Sequence, residues 1–92
     1  MADEELKTVY RILRYLVENP NAQDTLEGVV EWWLRDKYTK RNVMRVKEAL
    51  EELVSADLIL QRQGKESRIY YKINPQKLKE IKALLSHSRT PR

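Results

Sequence analysis

Residues 46–74 read VKEALEELVSADLILQRQGKESRIYYKIN, and the apolar period changes inside that run. Val46, Leu50, Leu53 and Val54 fall on one face of a helix that also takes in Val43, starts from Thr39 as N-cap and ends near Ala56 or Asp57. Beyond Asp57 the period becomes two. DLILQRQ and SRIYYKI are β-prone segments joined by a short polar turn around Gly64, which predicts a hairpin. Alternation along the returning segment places Ile69, Tyr71 and Ile73 on one face, toward the helices, and Arg68, Tyr70 and Lys72 on the other.

Working outward, the flanking segments are helical. From Asp3 as a plausible N-cap, Leu6, Val9, Tyr10, Leu13, Leu16 and Val17 recur at helical spacing until Asn19 and Pro20 stop the helix. Ile12 widens that stripe, either because a second copy covers the helix or because it sits on the flank. Asp24 and Glu27 have capping-box spacing for a second helix with the stripe Leu26, Val29, Val30, Trp33 and Leu34. Trp33 therefore points inward and Trp32 falls off the stripe, while Gly28 is placed on the outer face at a cost of about 1 kcal/mol relative to alanine. Asn74 caps and Pro75 opens a last helix carrying Leu78, Ile81, Leu84 and Leu85 on one side. The expectation is a single domain over residues 1–85 with a disordered tail, SHSRTPR, over 86–92.

Composition narrows the function classes. The chain of 92 residues has no cysteine and one histidine, His87, which excludes a disulfide framework, a thiolate metal site and a cysteine nucleophile. No apolar run approaches membrane-spanning length and no leader is visible at Met1, so a cytoplasmic chain without a membrane partner is expected. No glycine-rich phosphate loop, HExxH or GxSxG occurs, and Asp24 with Glu27 suits capping better than acid–base work, so neither an enzyme nor a cofactor is expected. Charge is divided unevenly: residues 1–36 hold four Lys and Arg against eight Asp and Glu, and residues 37–92 hold fourteen against six. A polyanion is the natural partner of the second half.

The expected class is mainly α with a small antiparallel β-hairpin, in the order of three helices, two strands and a fourth helix. That order resembles the winged helix-turn-helix domain, and the likeness extends to residues. Val46 to Asn74 resembles the third helix and wing of small ArsR-like and MarR-like bacterial and archaeal regulators, at Leu50, Leu53, Ala56, Leu58, Arg62, Gly64, Arg68, Tyr70 and Tyr71. The resemblance implies a DNA-binding transcriptional regulator whose third helix enters the major groove and whose basic wing grips the backbone. The chain departs from the pattern between the second and third helices, where WWLRDKYTKRN lacks the usual glycine turn and suggests an extra helical turn. ArsR-type metal ligands are also absent.

On that reading the recognition-helix candidates are Lys40, Arg41, Asn42, Met44 and Arg45, with Glu48 and Glu52 farther from the phosphates. Cations in a first helical turn oppose the macrodipole by roughly 0.3–1 kcal/mol unless an anion offsets them. The competing reading of Arg45 with Glu48 is a helix-surface ion pair worth about 0.2–0.5 kcal/mol. Arg62, Lys65, Arg68 and Lys72 form the candidate wing rim, which could instead be edge-strand protection. Trp32, Ile12, Leu78, Ile81 and Leu85 are the candidate interface residues, the last helix being expected to pair with the first in a two-fold homodimer on double-stranded DNA. The rival expectation is a winged-helix module that binds a protein partner through a patch around Trp32 and Met44.

Overall fold

The computed structural model describes residues 2–88, with side chains for 4–86. Helix α1 (Ala2–Glu18) is followed by a two-residue strand β1 (Gln23–Asp24), and α2 starts as Leu26–Gly28 before widening into a π-turn over Val29–Trp33. Next come α3 (Lys40–Ser55), the hairpin strands β2 (Ile59–Gln63) and β3 (Ile69–Ile73), a 3-10 turn at Pro75–Lys77, and α4 (Leu78–Ser88). The result is a mainly helical fold with a small antiparallel sheet in the order β1-β3-β2. Among the described residues no helix is long and apolar enough to cross a membrane.

The apolar stripes meet in one core. Ile12, Leu13 and Leu16 from α1, Val29, Val30, Trp33 and Leu34 from α2, and Val46, Ala49, Leu50 and Leu53 from α3 close over Leu58, Ile59, Tyr71, Ile73 and Ile81. The sheet faces as alternation predicts, with Tyr71 and Ile73 buried beneath the helices. The Trp33 ring stacks on Tyr15 at 5.2 Å, which fixes α2 against α1. Asn74 accepts from the Gln76 amide at 3.1 Å and donates to the Asp57 carbonyl at 2.8 Å, tying the start of the last helical segment to the end of α3.

Several expectations are corrected. The hairpin gains a third strand, because Gln23 and Asp24 pair with Lys72 and Tyr71. Asp24 does not cap α2; its carboxylate accepts from the Thr25 amide at 2.9 Å, and the Thr25 hydroxyl caps the helix by accepting from the Gly28 amide at 3.3 Å. Gly28 lies inside rather than outside, since an added methyl would occupy the space of the Asp24 carboxylate. Helix α1 already includes Asp3, so Asp3 is not its N-cap.

The extra turn expected of α2 is absent. The chain closes instead through wide bonds from Leu34 N to Val29 O at 3.0 Å and Asp36 N to Val30 O at 2.9 Å, and Arg35 turns it at φ 57° where a glycine would be usual. Helix α4 runs through Ser86, His87 and Ser88, so the tail expected from residue 86 does not begin there, while residues 89–92 lie outside those described.

The interface expectations also change. Ile12 and Ile81 are both 0 % exposed and belong to the core, and Leu78 and Leu85 pack against it. Helix α4 lies on α1 of the same chain, so the apolar pairing expected between two copies is made within one. Leu84 turns toward solvent.

Candidate nucleic-acid interface

The leading end of α3 is held by three short-range devices. The Thr39 hydroxyl accepts from the Asn42 amide at 3.2 Å, the Thr39 amide donates to the Lys37 carbonyl at 2.9 Å, and the Asn42 side-chain amide donates to that same carbonyl at 2.9 Å. Asn42 is thus engaged in shaping the α2–α3 connection. Arg11 of α1 fastens it from the other side: its guanidinium donates to the Leu34 carbonyl at 2.8 Å and to the two Asp36 carboxylate oxygens at 3.2 and 3.4 Å.

What this end presents is positive. No acidic residue occupies the first turn of α3, and Lys40 and Arg41 are exposed there beside an exposed Met44. Arg35 and Lys37 add two exposed cations on the connection that the helix-by-helix reading passed over, although the run RDKYTKR shows the basic density plainly. Farther along α3, Glu48, Glu51 and Glu52 take over.

Arg45 is where the sequence reading and the structure part. Its guanidinium pairs with the Glu4 carboxylate of α1 at 2.8 Å, not with Glu48 on its own helix. Glu4 and Glu5 thereby form one wall of a groove whose other wall is Lys40, Arg41, Met44, Arg45 and Glu48. Glu5 has a raised pKa because it hydrogen-bonds Glu52, loses some hydration and feels the negative charges of Glu52 and Glu48. Acids at a helix start look like dipole complements, so nothing in the sequence signals this contact.

Arg62 and Lys72 share the outer face, paired across the ladder with Tyr70 and Leu60. Lys65 stands exposed at the tip, where Glu66 and Ser67 take φ of 58° and 62°. Gly64 is needed there for close approach, since a methyl would come within 2.7 Å of the Tyr70 ring. Arg68 borders a groove against α2, together with Thr25, Leu26, Glu27, Ile69 and Tyr71.

Glu27 links the two basic regions. It hydrogen-bonds Tyr38 on the α2–α3 connection, and there reduced hydration, then the charge of Glu27 and that hydrogen bond, raise the phenol pKa. Burial, followed by the charges of Glu51 and Glu27, likewise raises Tyr71. The approach to α3 and the base of the hairpin therefore flank one carboxylate on one side of the molecule.

Among the described residues the ion pairs are Arg11 with Asp36, Arg45 with Glu4 and Lys77 with Glu80. Lys40, Arg41, Arg62, Lys65, Arg68 and Lys72 have no carboxylate of the described residues within 4.0 Å. Trp32 is 66 % exposed, off the core stripe as its phase requires. Comparison with protein-family models, curated proteins and solved structures finds no match for the chain.

Proposed function

We propose that the chain is a DNA-binding protein of winged helix-turn-helix type, acting as a transcriptional regulator. The order of its helices and hairpin supports the fold assignment, with β1 as a short addition to the wing. The observation that carries the functional reading is the pair Lys40 and Arg41: exposed, in the first turn of α3, without a carboxylate partner and against the helix dipole. A phosphate or a guanine edge offsets that cost. The acidic second half of α3 limits docking to its N-terminal end, which is the end that recognition helices insert. Arg62, Lys65 and Lys72 supply contacts to the backbone, which position the protein without reading sequence. Double-stranded DNA is the partner, and because the α1 and α4 faces are used within one chain, the proposal needs no second copy.

The test is a comparison of Arg41→Ala and Lys65→Ala on a selected duplex and on random duplex. Arg41→Ala should cost about 1–3 kcal/mol on the selected site and less on random DNA, whereas Lys65→Ala should weaken both alike. Equal losses on both duplexes for Arg41→Ala would remove base reading by α3.

One observation favours a second reading, that of a protein-docking module. Trp32 and Tyr38 are both large, aromatic and exposed on α2 and its exit. On that reading Trp32→Ala abolishes capture of a protein partner and leaves DNA binding unchanged.

A further inference from the structure

We infer that the first turn of α1 is a built-in competitor for the DNA-facing cations of α3, with Glu4 holding Arg45 until a phosphate displaces it. This rests on the DNA-binding reading above and deepens it to a regulation of the same surface. Glu4 and Glu5 stand in the groove beside Lys40, Arg41 and Arg45, so a DNA backbone approaching the leading end of α3 meets two carboxylates before it reaches Arg45.

The geometry is that of a releasable contact. A carboxylate that buttressed an arginine for base reading would be buried and would grip the guanidinium with both oxygens. Here the closest approach, Arg45 Nη2 to Glu4 Oε1 at 2.8 Å, lies at the surface, the Glu4 side chain being 60 % exposed against 33 % for Arg45. Solvent screens such a pair, and double-stranded DNA offers a denser line of negative charge than one glutamate.

The neighbouring residues weaken the closed arrangement further. Glu5 shares a hydrogen bond with Glu52 and faces Glu48 as well, and its proton affinity is raised by that crowding. The apolar stripe of α1 keeps the helix on the core, so what can yield is the Glu4 side chain alone, whose pair with Arg45 stands beside the carboxylates of Glu5, Glu48 and Glu52.

The experiment is fluorescence anisotropy with a random 30-base-pair duplex over a salt series, on the wild-type chain, Glu4→Gln, Glu4→Ser, Arg45→Ala and the double variant Glu4→Gln with Arg45→Ala. Circular dichroism confirms that each variant is folded. Arg45 meets a phosphate in both complexes but only the wild type first gives up its Glu4 pair, so Glu4→Gln should bind about two- to fivefold tighter, with its slope of log K against log salt changed by less than the roughly 0.9 of one contact. Glu4→Ser should do the same, and the double variant should fall back to the level of Arg45→Ala. Wild-type binding with Glu4→Gln unchanged or weaker overturns the competitor and leaves the DNA-binding reading standing. Absence of binding in every chain, including Glu4→Gln, overturns both.

Discussion

Replacing Arg11 by alanine removes the clamp that fixes the chain between α2 and α3. The guanidinium donates to the Leu34 carbonyl at 2.8 Å and pairs with Asp36 at 3.2 Å, and Leu34 itself is buried. Leaving that carbonyl without its charged donor costs roughly 1–3 kcal/mol, and the exposed part of the ion pair adds about 0.2–1 kcal/mol. Because the Arg11 side chain is 42 % exposed and water can partly replace it, we place the sum near the low end, at about 2 kcal/mol. For a domain of this size that corresponds to a Tm lowered by roughly 8–16 °C.

Urea denaturation followed by circular dichroism measures it directly, with an unchanged m-value showing that only stability has moved. Arg11→Lys should recover part of the loss, since one ammonium cannot span the carbonyl and both carboxylate oxygens. Asp36→Asn should cost less than Arg11→Ala because the carbonyl bond survives. An Arg11→Ala chain within about 0.5 kcal/mol of wild type, the ordinary scatter of surface substitutions, would refute the clamp.

Three further predictions concern other parts of the molecule. The raised pKa of Glu5 means that the folded chain binds this proton more tightly than the unfolded chain, whose value is near 4.5. Its contribution to stability is therefore present below that value and lost as pH rises through the folded one. Stability scans in which wild type and Glu5→Gln show the same pH slope across that window would contradict it. Glu27→Gln should move the Tyr38 phenol back toward 10.0, read as an earlier tyrosinate absorbance in an alkaline titration, with no change meaning that Glu27 does not act on it. Ile12→Ala should cost about 2–5 kcal/mol as a core cavity, with a Tm independent of protein concentration. A concentration-dependent loss would return Ile12 to an interface.

The hairpin and the α3 stripe were legible because their signals are local: period two, a glycine at the turn, and a Thr39 cap beside the residues it serves. Strand β1 was not, since two residues carry no period and Gln23 and Asp24 become a strand only by pairing with Lys72 and Tyr71. The π-turn of α2 is also a tertiary product, closing where Trp33 stacks on Tyr15. A broad apolar stripe does not say what covers it, which is why Ile12 and Ile81 suggested a second copy while the structure covers them within one chain. At the candidate site the exposed cations Lys40 and Arg41 could be placed by helix phase alone. Arg45 could not, because its partner Glu4 belongs to another helix and charge pairing across helices leaves no mark on either stripe.

On the proposed function, the exposed cations of α3 and the hairpin grip a DNA backbone. Anisotropy of the wild-type chain on a 30-base-pair duplex between 50 and 200 mM salt, on the order of one unit of charge release per contact, addresses it most directly. With Lys40, Arg41, Arg62, Lys65 and Lys72 as contacts, and Arg45 once Glu4 yields it, log K should fall against log salt with a slope of roughly −5. No binding at the lowest salt, or binding indifferent to salt, would contradict the account.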